Sequence, residues 1–115
     1  MRESYRKRFL QDPTPIRLGG IAANLARIKS FSDDDRHAEL VLHMIQDTEF
    51  LIEYASPEVE LQTQAELVEI QLDLAIWQLK WQTLWTNPDK RRQVAEQAGR
   101  WSDRLLDLSG LANEA

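Results

Sequence analysis

Apolar residues recur along the chain at spacings of three and four, with few alternating runs, so the elements predicted are helices. Leu18, Ile21, Leu25 and Ile28 stand at heptad spacing, with Gly19, Ala22 and Ala26 beside them to admit a close neighbour. Leu40, Val41, Met44, Ile45, Thr48, Leu51 and Ile52 fall on one arc of a second helix and predict its core face. From Pro57 to Thr86 there is no further Gly or Pro, which predicts one rod about 45 Å long. That rod carries two apolar stripes. Leu67, Ile70, Leu74, Trp77, Trp81, Leu84 and Trp85 form one, while Leu61, Val68, Leu72, Ala75, Ile76 and Leu79 form the other on the opposite side. A charged strip (Glu69, Asp73, Lys80) and an amide strip (Gln64, Gln71, Gln78, Gln82) separate them. Two stripes call for neighbours on two sides. Val94, Ala98, Trp101, Leu105 and Leu108 mark a last helix.

Punctuation sets the boundaries. Thr14-Pro15, Ser32, Ser56-Pro57 and Asn87-Pro88-Asp89 each offer a capping side chain, three of them with proline in the first helical position. Gly110 offers the left-handed terminator, with Leu111 as its hydrophobic contact. The expectation is an all-α, up-and-down four-helix bundle with a long third helix, its helices near 15–31, 33–55, 57–86 and 88–109. A mobile basic arm (1–14) precedes the domain (15–111), and a short tail (112–115) follows it. Ala95, Ala98 and Gly99 are expected opposite residues 76–80, making room for Trp77 and Trp81.

The quoted residues also carry a likeness. Arg17-Leu18-Gly19 followed by Leu25-Ala26-Arg27-Ile28, then Leu72-Asp73-Leu74-Ala75-Ile76-Trp77, then Trp101-Ser102-Asp103-Arg104-Leu105-Leu106 before Ser109-Gly110-Leu111 resemble a set of small all-helical cyanobacterial proteins of unknown function. The resemblance spans about residues 15–111. It implies a helical fold and brings with it no activity, cofactor or site residue.

Composition narrows the chemistry. The chain has 115 residues, 43% of them hydrophobic and 29% charged, in the range of ordinary globular domains. No stretch is long and apolar enough to span a bilayer, and Met1 to Arg8 lack the apolar centre of a secretory signal. With no cysteine, disulfides, thiolate metal sites and thiol catalysis are excluded, a usage that suits the cytoplasm. The net charge of −5 is uneven: residues 1–30 hold seven Lys/Arg against Glu3 and Asp12, and residues 31–79 hold twelve Asp/Glu against Arg36. An acidic body argues against general nucleic-acid binding and leaves the arm (Arg2, Arg6, Lys7, Arg8) to dock on an acidic helix, its own or a partner's.

Candidate sites follow. Glu39, His43 and Asp47 descend one helix face at four-residue spacing, a pattern open to metal ligation but better explained as a solvated face, with only Asp34-x-x-His37 near a di-iron motif. Asp33-Asp34-Asp35 is expected to cap a helix. Trp77, Trp81, Trp85 and Trp101 suggest a flat aromatic or tetrapyrrole ligand as an alternative to core packing. No phosphate loop or nucleophile motif is present, and no catalytic, cofactor-binding or metal residue is assigned. The favoured expectation is a non-catalytic interaction protein, a scaffold or regulatory partner that forms a homodimer or meets another protein partner. Its interface would be Phe50, Tyr54, Leu61, Val68, Leu72 and Leu79. A nucleic-acid accessory role for the basic arm is the remaining alternative.

Overall fold

The computed structural model describes residues 3–111; Arg2 of the basic arm and the expected tail 112–115 lie outside them. The described residues are mostly helical, with no strand among them: α1 (Glu3–Gln11), α2 (Thr14–Phe31), α3 (Ala38–Ala55), α4 (Leu61–Leu79), α5 (Trp81–Thr86) and α6 (Pro88–Ser109). Short 3₁₀ turns at Asp35–His37 and Ser56–Glu58 connect α2 to α3 and α3 to α4.

The most extensive packing is between α2 and α6, followed by α2 with α3. Ile21, Leu25 and Ile28 are fully buried there, as are Ala98 and Leu105 from the α6 side. Polar side chains fix the register: Ser102 Oγ donates to the Ala22 carbonyl at 2.8 Å, and Arg91 Nε donates to the Ser32 carbonyl at 3.1 Å. Gly99 lies against α2, where an added Cβ would sit 2.8 Å from Lys29 Cδ. Its small size therefore admits the lysine stem and not, as the spacing suggested, the tryptophans of the third predicted helix. Leu111 folds back onto Gly19 after Gly110 takes the left-handed conformation at φ 77°, the termination expected for α6.

Several boundaries differ from the sequence expectation, each for a local reason. The expected arm is helical, and Phe9 of α1 is buried in the core. Ser32 closes α2 by donating to the Ile28 carbonyl at 2.6 Å and does not cap the next helix, which starts only at Ala38. Asp34 caps the intervening turn, accepting from the Arg36 amide at 2.9 Å. Asn87 does cap α6, accepting from the Asp89 and Lys90 amides at 3.0 and 3.2 Å.

The rod expected over 57–86 starts late and is broken. Residues 56–58 form the 3₁₀ turn, α4 begins at Leu61, and the helix is interrupted at Lys80 (φ −104°, ψ 20°). Beyond the break Trp81 stacks on Trp85 with centroids 5.0 Å apart, and Trp85 Nε1 donates to the Asp35 carbonyl at 2.7 Å. Arg91 lies 5.5 Å over the Trp85 ring and donates to its carbonyl at 2.9 Å. Helix propensity differs by only tenths of a kcal/mol per residue, so tertiary contacts such as that of Trp85 can outweigh it.

Candidate interaction surface

Helix α4 presents opposite faces to opposite environments. Thr63, Leu67, Ile70, Leu74 and Trp77 are buried. On the far side Leu61 is 81% exposed, Val68 55%, Leu72 58%, Ile76 48% and Leu79 84%. Ala65 and Ala75 are exposed in the same stripe. The second stripe was expected to have a neighbour, yet no described residue covers it.

The two polar strips explain why α4 sits in this orientation. On one flank Asp73 Oδ2 accepts from Trp101 Nε1 at 2.6 Å, and Glu66 pairs with Arg104 Nε at 2.7 Å, tying α4 to α6. On the other, Gln71 Nε2 donates to the Glu49 carbonyl at 3.1 Å, Gln78 Nε2 donates to the Glu49 carboxylate, and Gln64 Nε2 donates to the Ser56 carbonyl at 2.7 Å. Rotating α4 to bury its outer stripe would break all five links and expose Leu67, Ile70 and Leu74. The four part-buried links among them, left unmade, would cost up to about 1–3 kcal/mol each.

A groove of about 760 Å³ lies between α4 and α6. Ile76, Trp77, Leu84, Val94 and Trp101 line it, with Glu69 and Asp73 on the α4 side and Lys90 and Arg100 on the α6 side. A second groove of about 450 Å³ runs along the other side of α4, lined by Ile52, Pro57, Leu67, Val68 and Leu72. The outer stripe is thus a ridge between two hollows, the shape helix packing engages.

Phe50 and Tyr54 are stacked, with centroids 6.5 Å apart. Phe50 is 41% exposed, while Tyr54 is half-buried with the Arg6 guanidinium 5.2 Å over its ring. The basic segment therefore docks on the chain's own α3. Phe50 lines a hollow with Glu49, Glu53, Gln71 and Gln78, so the amide strip separates it from the α4 ridge. Of the six residues expected to form one interface, Leu61, Val68, Leu72 and Leu79 lie together and the aromatic pair lies apart. Leu40, expected in the core, is 41% exposed at the start of α3.

Two carboxylates stand out electrostatically. Burial pushes the Glu49 carboxyl up, the Gln78 hydrogen bond opposes this, and neighbouring Glu53 adds to the rise. Hydrogen bonds from the Arg36 side chain and amide hold Asp34 well below the usual carboxylate range. Glu39, His43 and Asp47 are all exposed, and no cluster of three or more His, Asp or Glu among the described residues is placed to hold a metal. Among the described residues no helix is long and apolar enough to cross a membrane. The ridge was legible in the sequence as a second stripe; the grooves beside it were not, since they depend on how far α4 lies from α6 and α3. No protein-family model, curated protein or solved structure matches this chain, and its function has to be argued from this surface.

Proposed function

We propose that the chain is a non-catalytic interaction protein, a scaffold or regulatory partner working in the cytoplasm, that pairs with itself through the outer face of α4. In this reading α2, α3, α4 and α6 make an up-and-down four-helix bundle, with α1 and α5 as accessory pieces. The observation that carries it is the run of Leu61, Val68, Leu72, Ile76 and Leu79, each at least 48% open to water on one helix face. Contiguous apolar surface rimmed by polar residues marks an association site, and a domain of 115 residues gains appreciably from added burial.

Sedimentation velocity from about 1 to 100 μM, the span in which moderate dimers dissociate, tests the proposal. The expected result is a concentration-dependent dimer. Leu72→Asp should raise the dissociation constant at least about thirtyfold, as for a central interface residue, and Leu79→Asp should raise it by a smaller factor, both without loss of helicity. A monomer throughout, or a dimer indifferent to both substitutions, would sink the idea.

A second reading draws on the α4–α6 groove, whose volume falls in the ligand-pocket range of about 300–1,000 Å³ and whose walls include Trp77 and Trp101. It would take a flat aromatic guest or a tetrapyrrole. An absorbance band retained through purification, lost in Trp77→Ala, supports it; a colourless protein whose indole fluorescence ignores such guests counts against it.

A further inference from the structure

We infer that the α4 ridge is one half of an antiparallel two-helix seam, completed by α4 of a second copy about a two-fold axis between Val68 and Leu72. This rests on the self-association proposed above and adds its geometry. Among the exposed residues of α4, Leu61, Ala65, Val68, Leu72, Ala75 and Leu79 alternate spacings of four and three, with Ile76 beside them, the seam of a coiled coil. The order of sizes is large, small, large, large, small, large, which reads the same from either end. About the stated axis Leu61 meets Leu79 of the second copy, Ala65 meets Ala75, and Val68 meets Leu72. The alanine layers let the backbones approach, and the leucine layers close both ends.

The cations of α6 favour one direction, against the approach of the two Glu69 side chains across the axis. The flank of α4 beside α6 carries Glu66, Glu69 and Asp73, and the flank beside α3 carries Gln64, Gln71 and Gln78. The Glu66–Arg104 and Asp73–Trp101 contacts fix the register of α4 against α6, so Arg100 and Arg104 stand level with the middle of the seam. In an antiparallel pair the acidic flank of each copy overhangs α6 of the other, and Glu69 of the second copy reaches the level of Arg100. The Arg100 guanidinium otherwise donates, among the described residues, only to Gln97 on its own helix. A parallel pair would lay the uncharged amide flank there and give Arg100 no acidic partner from the second copy. The antiparallel pair makes the match twice, once on each side of the axis, and also opposes the two helix dipoles.

The chain has no cysteine, so introduced thiols report position without background. Ala65→Cys and Ala75→Cys chains, one carrying a mass tag, are mixed and equilibrated in a thiol–disulfide buffer. The expected product is the mixed 65–75 disulfide, several-fold above the statistical share. Arg100→Glu should raise the dissociation constant of the dimer about tenfold, the scale of a twice-repeated exposed pair, and adding Glu69→Arg should restore it. Predominant 65–65 and 75–75 disulfides, or an Arg100→Glu effect that Glu69→Arg does not reverse, overturn the antiparallel seam while leaving self-association standing. If the unsubstituted chain stays monomeric in sedimentation, both fall, and the ridge belongs to a helix of another protein.

Discussion

At Glu49 one residue makes two links at once, one through its backbone and one through its side chain. Its carbonyl accepts from Gln71 and its carboxylate accepts from Gln78, so this single residue of α3 holds two amides of α4. The cost is a carboxylate partly removed from water beside Glu53, which raises its pKa. Because the folded-state value lies above the unfolded one, folding favours the protonated form. The associated stability is full below the ordinary carboxylate pKa of about 4.3 and is lost as pH rises through the folded value. Glu49→Gln removes the charge and keeps an oxygen that can accept from Gln78. The variant should melt above the parent at pH 7 and together with it at pH 3, as read by circular dichroism. A variant that melts lower at pH 7 would mean that the charge strengthens the Gln78 bond more than burial penalises it.

At the level of the element, the two faces of α4 make opposite forecasts. Ile70 is fully buried on the inner face, and Ile70→Ala should cost about 2–5 kcal/mol by opening a cavity. Leu79, 84% exposed on the outer face, should give a change within about 0.5 kcal/mol for Leu79→Ala in dilute protein, measured by urea unfolding. Equal costs would place a neighbour on the outer face within the monomer. The same helix shows what a sequence can disclose. Both stripes and both polar strips were legible, because helical periodicity sorts side chains by direction whatever lies beyond them. The break at Lys80 was not, since no Gly or Pro marks it, and the seat of Trp85 on the Asp35 carbonyl beyond it joins residues 50 apart. Capping signals were ambiguous for a related reason. Asn87 caps as expected, but Ser32 bonds backward to Ile28, and a serine hydroxyl serves either helix end equally well. The apolar content of Phe50 and Tyr54 was visible, whereas Arg6 over Tyr54 depends on where α1 lands.

The whole molecule divides by how its parts are held. α2 and α6 share the most extensive packing and are pinned along their length by Ser102 on Ala22, Lys29 on Gly99, Leu111 on Gly19 and Arg91 on Ser32. α4 is held by one apolar face and a few side-chain bonds at its edges. Local opening follows buried contact, so α4 should open before the α2–α6 pair does. In native-state hydrogen exchange, dilute protein should show the slowest amides in α2 and α6. Amides of α4 should exchange at least about tenfold faster, equivalent to about 1.4 kcal/mol less protection. Pairing through the outer ridge couples to that opening, because a copy with α4 detached has no ridge to offer. Raising the protein concentration through the dimer dissociation constant should therefore slow exchange in α4 selectively, leaving α2 and α6 unchanged until global unfolding sets the limit. Concentration-independent exchange in α4 would uncouple the ridge from assembly, and uniform protection of α4 with α2 would show one cooperative unit where the packing indicates two.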